Sequence, residues 1–301
     1  MRIGLSTPVV VQMPGVASDW ERAAGIDDIA RIAKAADQLG FEYLTCSEHV
    51  AVPTDAASVR GAVYWDPVAT LAFLAACTSR IRLATSVVVL GYHHPLAIAK
   101  RYGTLDRVSA GRLVLGVGVG SLAAEFDMLG APWHGRGARA DDAIRALRAS
   151  LSTPQPAYDG EYYRYGSVVV EPYALQPRVP IWVGGRTVQS LRRAVELADG
   201  WMPFGLRGAD ITKMLADVDL PPGFDIVLPA GPLDPSTHPD ATVRQLDKLA
   251  DLGATAITCS VTATSANHYC DQLVGLRDLA DDVSTRATER SRRRRRRPAP
   301  S

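Results

Sequence analysis

The sequence alternates short apolar segments with longer segments of helical periodicity, and it does so eight times. Repeated strand–helix order predicts an all-parallel sheet covered by helices. Eight such units predict a closed (β/α)8 TIM barrel of the α/β class, with an open doubly wound sheet as the alternative. The predicted strands are residues 2–7, 41–46, 81–90, 112–117, 180–183, 200–203, 224–228 and 255–260. The predicted helices are residues 26–39, 67–78, 95–108, 139–150, 187–198, 210–217, 241–252 and 265–283.

Local signals support several of these boundaries. Asp66 is a suitable N-cap, with Pro67 at the first helical position, and Gly40 suits the residue that follows a helix C-terminus. Residues 158–173 break the rhythm, because Tyr and Val alternate around Asp159-Gly160. That pattern predicts an inserted β-hairpin near the barrel mouth.

The charge distribution divides the chain at its C-terminal end. Residues 285–301 carry eight arginines and one glutamate, a net +7 that leaves −6 for residues 1–284, since the whole chain carries +1. An acidic body disfavours a specific nucleic-acid-binding domain. We therefore expect residues 1–284 to form the barrel and residues 285–301 to be a disordered Arg-rich tail. The tail is expected to be a dispensable solvated end; contact with nucleic acid or anionic lipid is the alternative.

Several protein classes are disfavoured by what the sequence lacks. The cysteines stand far apart, which argues against a disulfide framework or a zinc site. Apolar runs are too short for a membrane span, and no signal peptide is recognisable, so a cytoplasmic location is expected. All four lysines fall within predicted helices, whereas a Schiff-base aldolase needs one at the barrel mouth.

The ends of the predicted strands supply the candidate chemistry, because barrel enzymes place their sites there. Glu48 and His49 follow the second strand, and His49 is suited to proton transfer near neutral pH. The alternative is a rim histidine held by Glu48. The pair His93-His94 suggests a metal ligand set, but adjacent residues point apart, so we expect His94 to cap the helix at Pro95 and no metal to bind.

Two glycine-rich segments follow later strands. Gly118, Gly120 and Ser121 belong to the run GVGVGS, which matches a dinucleotide fingerprint only loosely and is better interpreted as a flat loop that a ligand ring can approach. In the run WVGGRT, Gly184 and Gly185 lead into Arg186, Thr187 and a helix. A helix N-terminus of this kind favours a phosphate, and the alternative is a tight turn with Thr187 as a simple N-cap.

These segments together resemble the luciferase-like monooxygenase superfamily, and within it the coenzyme F420-dependent oxidoreductases. The matching blocks cover nearly the whole chain; they are SEHV, TSRIRLATSVVVLGYHHPLAIAKRYGTLDRVSAGRLVLGVGVG, EFDMLGAPWHGRGARADDAI and IWVGGRTVQSLRRAVELADGWMPFG. Their order and spacing make the resemblance specific.

The resemblance implies a TIM barrel that binds a deazaflavin or flavin ring over its strand ends. It implies a non-proline cis peptide at Ser86-Val87 that supports the ring, a catalytic role for His49 beside Glu48, and cofactor phosphate on Gly184 and Gly185. With the glycines of the fourth strand, Arg207 is a further candidate for cofactor binding. The resemblance also suggests a homodimer.

The implied activity is hydride transfer between F420 and a small organic substrate. In this view His49 moves the proton and Glu48 fixes its tautomer. Ser121 stands where some F420-dependent relatives have a glutamate proton donor, which argues against a sugar-phosphate dehydrogenase. An O₂-using monooxygenase with FMNH₂ is the first alternative, and a cofactor-free binding protein is the second.

Overall fold

The computed structural model describes the backbone of residues 1–295 and the side chains of residues 1–281. Its principal sheet is a closed barrel of parallel strands. The strands are β1 Arg2–Ser6, β2 Tyr43–Cys46, β3 Arg82–Thr85, β4 Leu113–Gly118, β5 Ile181–Gly184, β6 Gly200–Met202, β7 Asp225–Leu233 and β8 Ala256–Val261. Each strand pairs with its sequence neighbours, β8 pairs with β1, and β4 pairs with β5 through Trp182 beside Gly116. The predicted TIM barrel is confirmed.

One helix follows each strand on the outside of the barrel. The helices are α1 Ile26–Gln38, α2 Pro67–Cys77, α3 Pro95–Val108, α4 Arg136–Ser150, α5 Val188–Leu197, α6 Gly208–Ala216, α7 Pro239–Asp251 and α8 Ala266–Arg295. Asp66 accepts a hydrogen bond from the Ala69 N–H at 2.8 Å, so the expected cap of α2 is present. Gly40 has a φ of 74°, as expected beyond the end of α1.

The barrel interior is filled by a cluster of buried side chains, one from each of the strands β2 to β8. They are Tyr43, Ala84, Val114, Trp182, Met202, Val227 and Ala256. The Tyr43 and Trp182 rings meet edge to face with centroids 5.2 Å apart. Gly4 is required beside them, because a Cβ there would lie 2.1 Å from the Tyr43 ring. The Tyr43 hydroxyl lies 2.8 Å from both the Ile257 carbonyl and Thr258 Oγ1, so burial leaves it hydrogen-bonded.

Short elements in the loops were missed by the sequence analysis. Val11–Gln12 and Val63–Tyr64 form a two-stranded antiparallel sheet that joins the loops after β1 and β2. Two-residue strands are too short to show periodicity. The other missed elements are the helix Ala57–Arg60 and the 3₁₀ helices Asp19–Arg22 and Leu90–Tyr92. A short helix, Ala123–Met128, follows the glycine-rich end of β4, where the chain order left room for one.

Several predicted segments differ from the structure in extent; among them, the strand predicted over 224–228 continues to Leu233. In the predicted hairpin, only Tyr158–Asp159 and Arg164–Tyr165 pair as strands, and Asp142 of α4 holds them by accepting from the Tyr162 and Tyr163 N–H groups. The end predicted for the last helix, residue 283, is wrong, because α8 continues to Arg295. Residues 284–297 contain no Gly or Pro, so the sequence has no helix-breaking residue between the predicted end and Pro298. Residues 296–301 lie outside the described residues, and the predicted disorder of the tail stays a prediction.

Candidate functional site

The carboxyl ends of the strands form an open surface at one end of the barrel. The peptide bond between Ser86 and Val87 is cis, as the resemblance implied. Both residues are half-buried, whereas Thr85 and Val88 beside them are buried. After this interruption a short strand, Val88–Val89, pairs with β4. The strand predicted over 81–90 is therefore broken at the surface where a ligand has access.

The side chain of Val87 forms the floor of this surface. A Cβ on Gly118 would lie 2.6 Å from Val87 Cγ2, and a Cβ on Gly184 would lie 2.8 Å from Val87 Cγ1. A Cβ on Gly120 would lie 2.4 Å from the Phe126 ring. Gly118 and Gly120, which the sequence suggested for ring approach, and Gly184, which it suggested for phosphate binding, therefore make room for protein side chains. Their role toward a cofactor stays a prediction.

Ser47 and Glu48, which follow β2, hold the segment around Val87 in place through hydrogen bonds. Ser47 Oγ donates to the Ser86 carbonyl at 2.7 Å, and the Glu48 N–H donates to the Val87 carbonyl at 3.3 Å. The Glu48 carboxylate accepts from the Val89 N–H at 2.7 Å. Glu48 thus fixes the segment that carries Val87.

Glu48 does not hold its sequence neighbour. Its other carboxylate oxygen, Oε1, lies 2.7 Å from His93 Nε2. The expectation that Glu48 fixes the tautomer of His49 is therefore wrong, because the Glu48 carboxylate is directed at Val89 and His93 whereas His49 Nδ1 is directed at Glu125. His94 caps α3 by accepting from the Leu96 N–H at 3.2 Å, as expected.

His49 is held instead by Glu125, a residue that the sequence analysis did not single out. His49 Nδ1 lies 2.6 Å from Glu125 Oε2. The same carboxylate accepts from the Val50 N–H at 2.6 Å, the Ala51 N–H at 3.1 Å and the Tyr92 hydroxyl at 2.8 Å. Burial acts to raise the pKa of Glu125, but these hydrogen bonds and the nearby histidine outweigh it and lower that pKa. The one sequence signal was an acid within the otherwise apolar start AAEF of a short helix.

The loop after β2 crosses above His49. The Tyr64 ring lies edge-on to the His49 ring with centroids 4.6 Å apart, and the Tyr64 hydroxyl donates to the Arg60 carbonyl at 2.7 Å. The Arg60 guanidinium donates to Ser121 Oγ at 3.2 Å, which connects this loop to the end of β4. The His49 side chain is 15% exposed, and its Nε2 has no hydrogen-bond partner within residues 1–281.

The start of α5 differs from the row of free amides that the sequence suggested. Thr187 caps the helix by accepting from the Ser190 N–H at 3.2 Å, and its own N–H donates to Ser190 Oγ at 3.2 Å. The Gly185 N–H donates to the Met202 carbonyl at 3.4 Å. Two of the amides expected to hold phosphate are therefore already used. The N–H of Arg186 and those of the first helical residues, Val188 and Gln189, remain for an anion.

Four arginines are candidates for binding an anion at this surface, and they differ in whether a carboxylate neutralises their charge. Arg207 is 85% exposed and pairs with Asp210 at 2.9 Å, so its charge is already partly neutralised. Arg186 lies over the Phe204 ring. Arg136 stacks on Trp133 at 3.5 Å and donates to the Gly120 carbonyl at 3.4 Å, and Arg139 lies over Tyr162. Within the described side chains, Arg136, Arg139 and Arg186 form no ion pair with a carboxylate.

A cleft of about 540 Å³ lies at the opposite end of the barrel. Arg148 and Arg178 line it and both donate to Asp199, which precedes β6. These ion pairs hold the start of β6 to α4, and barrel enzymes place their chemistry at the other end. We therefore assign the cleft a structural role.

Metal and membrane features are absent from the described part of the chain. Over the residues that the structure describes, no group of three or more His, Cys, Asp or Glu side chains is arranged to hold a metal ion. In the same residues, no helix combines the length and the apolar character needed to cross a bilayer.

Comparison with known proteins gives a consistent family. Residues 1–220 match the family model described as luciferase-like monooxygenase. The uncharacterized protein Rv0953c of Mycobacterium tuberculosis is 32% identical over 254 residues, which cover 79% of this chain and 88% of that protein. An F420-dependent glucose-6-phosphate dehydrogenase of Nakamurella multipartita is 30% identical over 183 residues, 59% of this chain and 52% of that protein. The crystal structure of monooxygenase RslO1 from Streptomyces bottropensis superposes with a TM-score of 0.75 at 22% identity, covering 92% of this chain and 98% of that one.

Proposed function

Because the chain belongs to the luciferase-like monooxygenase family, we propose that it is an oxidoreductase that transfers a hydride between coenzyme F420 and a small organic substrate. The observation that carries this proposal is the open floor of Ser86 and Val87 beside His49. An uncharged floor next to a histidine with a free ring nitrogen suits a redox ring that exchanges a hydride while a side chain moves the proton.

The residues present fit a deazaflavin ring. Ser86 and Val87 are half-buried in an otherwise buried stretch, so they offer a surface without charge. When bound, F420 supplies a ring carbon that donates or accepts a hydride. The chain itself would orient the ring on Val87 and exclude water with the loop that carries Tyr64.

The arginines at the mouth favour F420 over FMN. Arg136, Arg139 and Arg186 carry charge that no carboxylate of the described side chains neutralises. F420 has a phosphate and further carboxylates in its tail, whereas FMN has one phosphate. Guanidinium groups bind such anions with charge-assisted hydrogen bonds. The F420-dependent dehydrogenase that is 30% identical supports the same choice.

His49 would act at its free nitrogen. With Nδ1 directed at Glu125, only Nε2 can reach a ligand above the floor. It would give a proton to, or take one from, the substrate oxygen or carbon as the hydride moves. Ser121 is a poor source of that proton at neutral pH, because a serine hydroxyl is a very weak acid.

The test compares the two cofactors on one protein. We expect F420 to quench tryptophan fluorescence at concentrations at least about tenfold lower than FMN, and reduced F420 to be consumed with a carbonyl or enone compound. Arg186→Ala should weaken F420 binding about three- to tenfold, whereas Arg192→Ala, on the exposed side of α5, should not. Tighter binding of FMN would favour the O₂-using monooxygenase. Binding of neither cofactor would favour a cofactor-free binding protein.

A further inference from the structure

We infer that Glu125 is the positioning residue that fixes the tautomer of His49 and so selects Nε2 as the nitrogen that acts on the ligand. The inference rests on the proposed function only for the identity of that ligand. It starts from an unusual distribution of acids and histidines, in which each carboxylate holds a distant histidine: Glu48 holds His93 and Glu125 holds His49.

The hydrogen-bond inventory of Glu125 decides which imidazole nitrogen carries the proton. Oε1 accepts from the N–H groups of Val50 and Ala51, and Oε2 accepts from the Tyr92 hydroxyl. An ionised carboxylate only accepts, so a fourth partner at 2.6 Å has to be a donor. His49 Nδ1 therefore carries hydrogen, and in the neutral ring Nε2 is a bare acceptor.

The burial of Glu125 makes this arrangement strongly preferred. Its side chain is 0% exposed, and within residues 1–281 no Arg or Lys pairs with it. A buried carboxylate depends on its hydrogen bonds, so the opposite tautomer would set a lone pair of Nδ1 against a negative oxygen. A proton that arrives at Nε2 would instead place positive charge beside the buried anion, which is favourable.

The position of Glu125 also explains how His49 stays at the floor. Residues 49–51 follow β2, Tyr92 follows β3, and Glu125 follows β4, so one carboxylate joins the loops of three neighbouring strands. The bonds to Val50 and Ala51 fix the backbone next to His49, and the bond to Nδ1 fixes the ring. The ring orientation is therefore set from two sides.

The experiment reads the tautomer directly in the full-length protein without cofactor. Protein labelled with ¹⁵N-histidine is studied by long-range ¹H–¹⁵N NMR at a pH where the neutral ring dominates, and His49→Gln identifies the His49 signals among the six histidines. We expect wild-type Nδ1 to be protonated and Nε2 to be unprotonated. In Glu125→Gln the ratio of the two tautomers should fall about tenfold or more, as loss of a charge-assisted bond implies.

Tyr92→Phe is the matched control, because it removes another donor to the same oxygen and leaves the imidazole bond in place. It should keep the wild-type tautomer, whereas a general loosening of the site would disturb both variants alike. A wild-type His49 protonated at Nε2 only, or an unchanged tautomer in folded Glu125→Gln, would overturn the inference. If Glu125→Gln does not fold, the His49 tautomer measured in the wild-type protein is by itself the test of the inference.

This result is independent of the proposed function. If the tautomer is as expected but F420 fails to bind, Glu125 still positions His49 and the cofactor assignment is wrong. If F420 binds and reacts while His49 shows the other tautomer, the oxidoreductase stands and the role of Glu125 is wrong.

Discussion

The carboxylate of Glu48 lies 2.7 Å from Nε2 of His93, and its second oxygen accepts from the backbone of Val89 at 2.7 Å. The acid next to the proposed catalytic histidine thus serves the floor of the site and not that histidine. Because Glu48 holds Val89 and His93 whereas Glu125 holds His49, we expect substitutions at the site to affect stability and turnover separately.

Replacing His49 should affect turnover more than binding. His49→Gln removes the nitrogen that would move the proton, so we expect the rate of F420 turnover to fall about 10²–10⁴-fold. The affinity for F420 should change by less than about threefold, because the floor and the arginines are untouched. Stopped-flow absorbance and fluorescence titration measure the two effects. His94→Gln, a cap of α3, is the control, and an unchanged rate in His49→Gln removes this residue from the mechanism.

Replacing Glu48 should affect stability. Glu48→Ala leaves a buried Val89 N–H without an acceptor and His93 without its partner, and we expect a loss of about 2–4 kcal/mol in the free energy of unfolding. Urea denaturation followed by circular dichroism measures the loss. Glu196→Ala on the exposed side of α5 should stay within about 0.5 kcal/mol of wild type. A wild-type stability for Glu48→Ala would show that its hydrogen bonds do not hold the floor.

Adding one methyl group at Gly184 should move the floor. The new Cβ would lie 2.8 Å from Val87 Cγ1, so Val87 has to shift toward the ligand side. We expect Gly184→Ala to cost about 1–3 kcal/mol of stability and to weaken cofactor binding measurably in a fluorescence titration. Gly166→Ala is the matched control, because its Cβ would meet nothing closer than 3.9 Å. Equal behaviour of the two variants would contradict this account of the floor.

The buried Asp37 should make stability fall in acid. Burial acts to raise the pKa of Asp37, but hydrogen bonds from the N–H groups of Ile81, Ser79 and Arg80 and from the Ser79 hydroxyl outweigh it and lower that pKa from 3.8. A group whose pKa is lower in the folded state contributes full stability above its unfolded value, and the contribution is lost as the pH falls through the folded value.

The test is the unfolding free energy as a function of pH. Asp37→Asn should be about 2–3 kcal/mol less stable than wild type at pH 7, and the gap should narrow below about pH 3.8. The exposed Asp27→Asn should show neither effect. A gap that does not change with pH would mean that the charge of Asp37 plays no part.

The loop above His49 should loosen when its tie to β4 is cut. Arg60→Ala removes the hydrogen bond to Ser121 at 3.2 Å, and we expect amide hydrogen exchange in residues 50–64 to rise about two- to fivefold. Ser121→Ala should produce the same change, because it removes the acceptor of that bond. No change in either variant would show that the small sheet of Val11–Gln12 and Val63–Tyr64 holds the loop alone.

Much of the fold could be predicted because strand and helix periods are local properties. The caps Asp66, His94 and Thr187 were found because a cap needs only its own helix. The partner of His49 was missed because it depends on how three loops meet in space. The contact with Glu125 spans 76 residues, and no periodicity encodes it. The free amides expected at the start of α5 were wrong in part, because the choice of Ser190 as a side-chain acceptor is visible only in three dimensions.

Val87 packs against the hydrophobic interior of the barrel and is also half-buried at the surface that we propose binds the cofactor. Selection for a new substrate therefore has little freedom at this position, since the Val87 side chain packs closely over Gly118 of β4 and Gly184 of β5, where even a Cβ would lie within 2.8 Å of it. Diversification within such a scaffold should be concentrated in the loop that carries Arg60 and Tyr64, where changes do not disturb interior packing. Directed evolution toward a different substrate range should therefore randomise residues of that loop and leave Val87 unchanged.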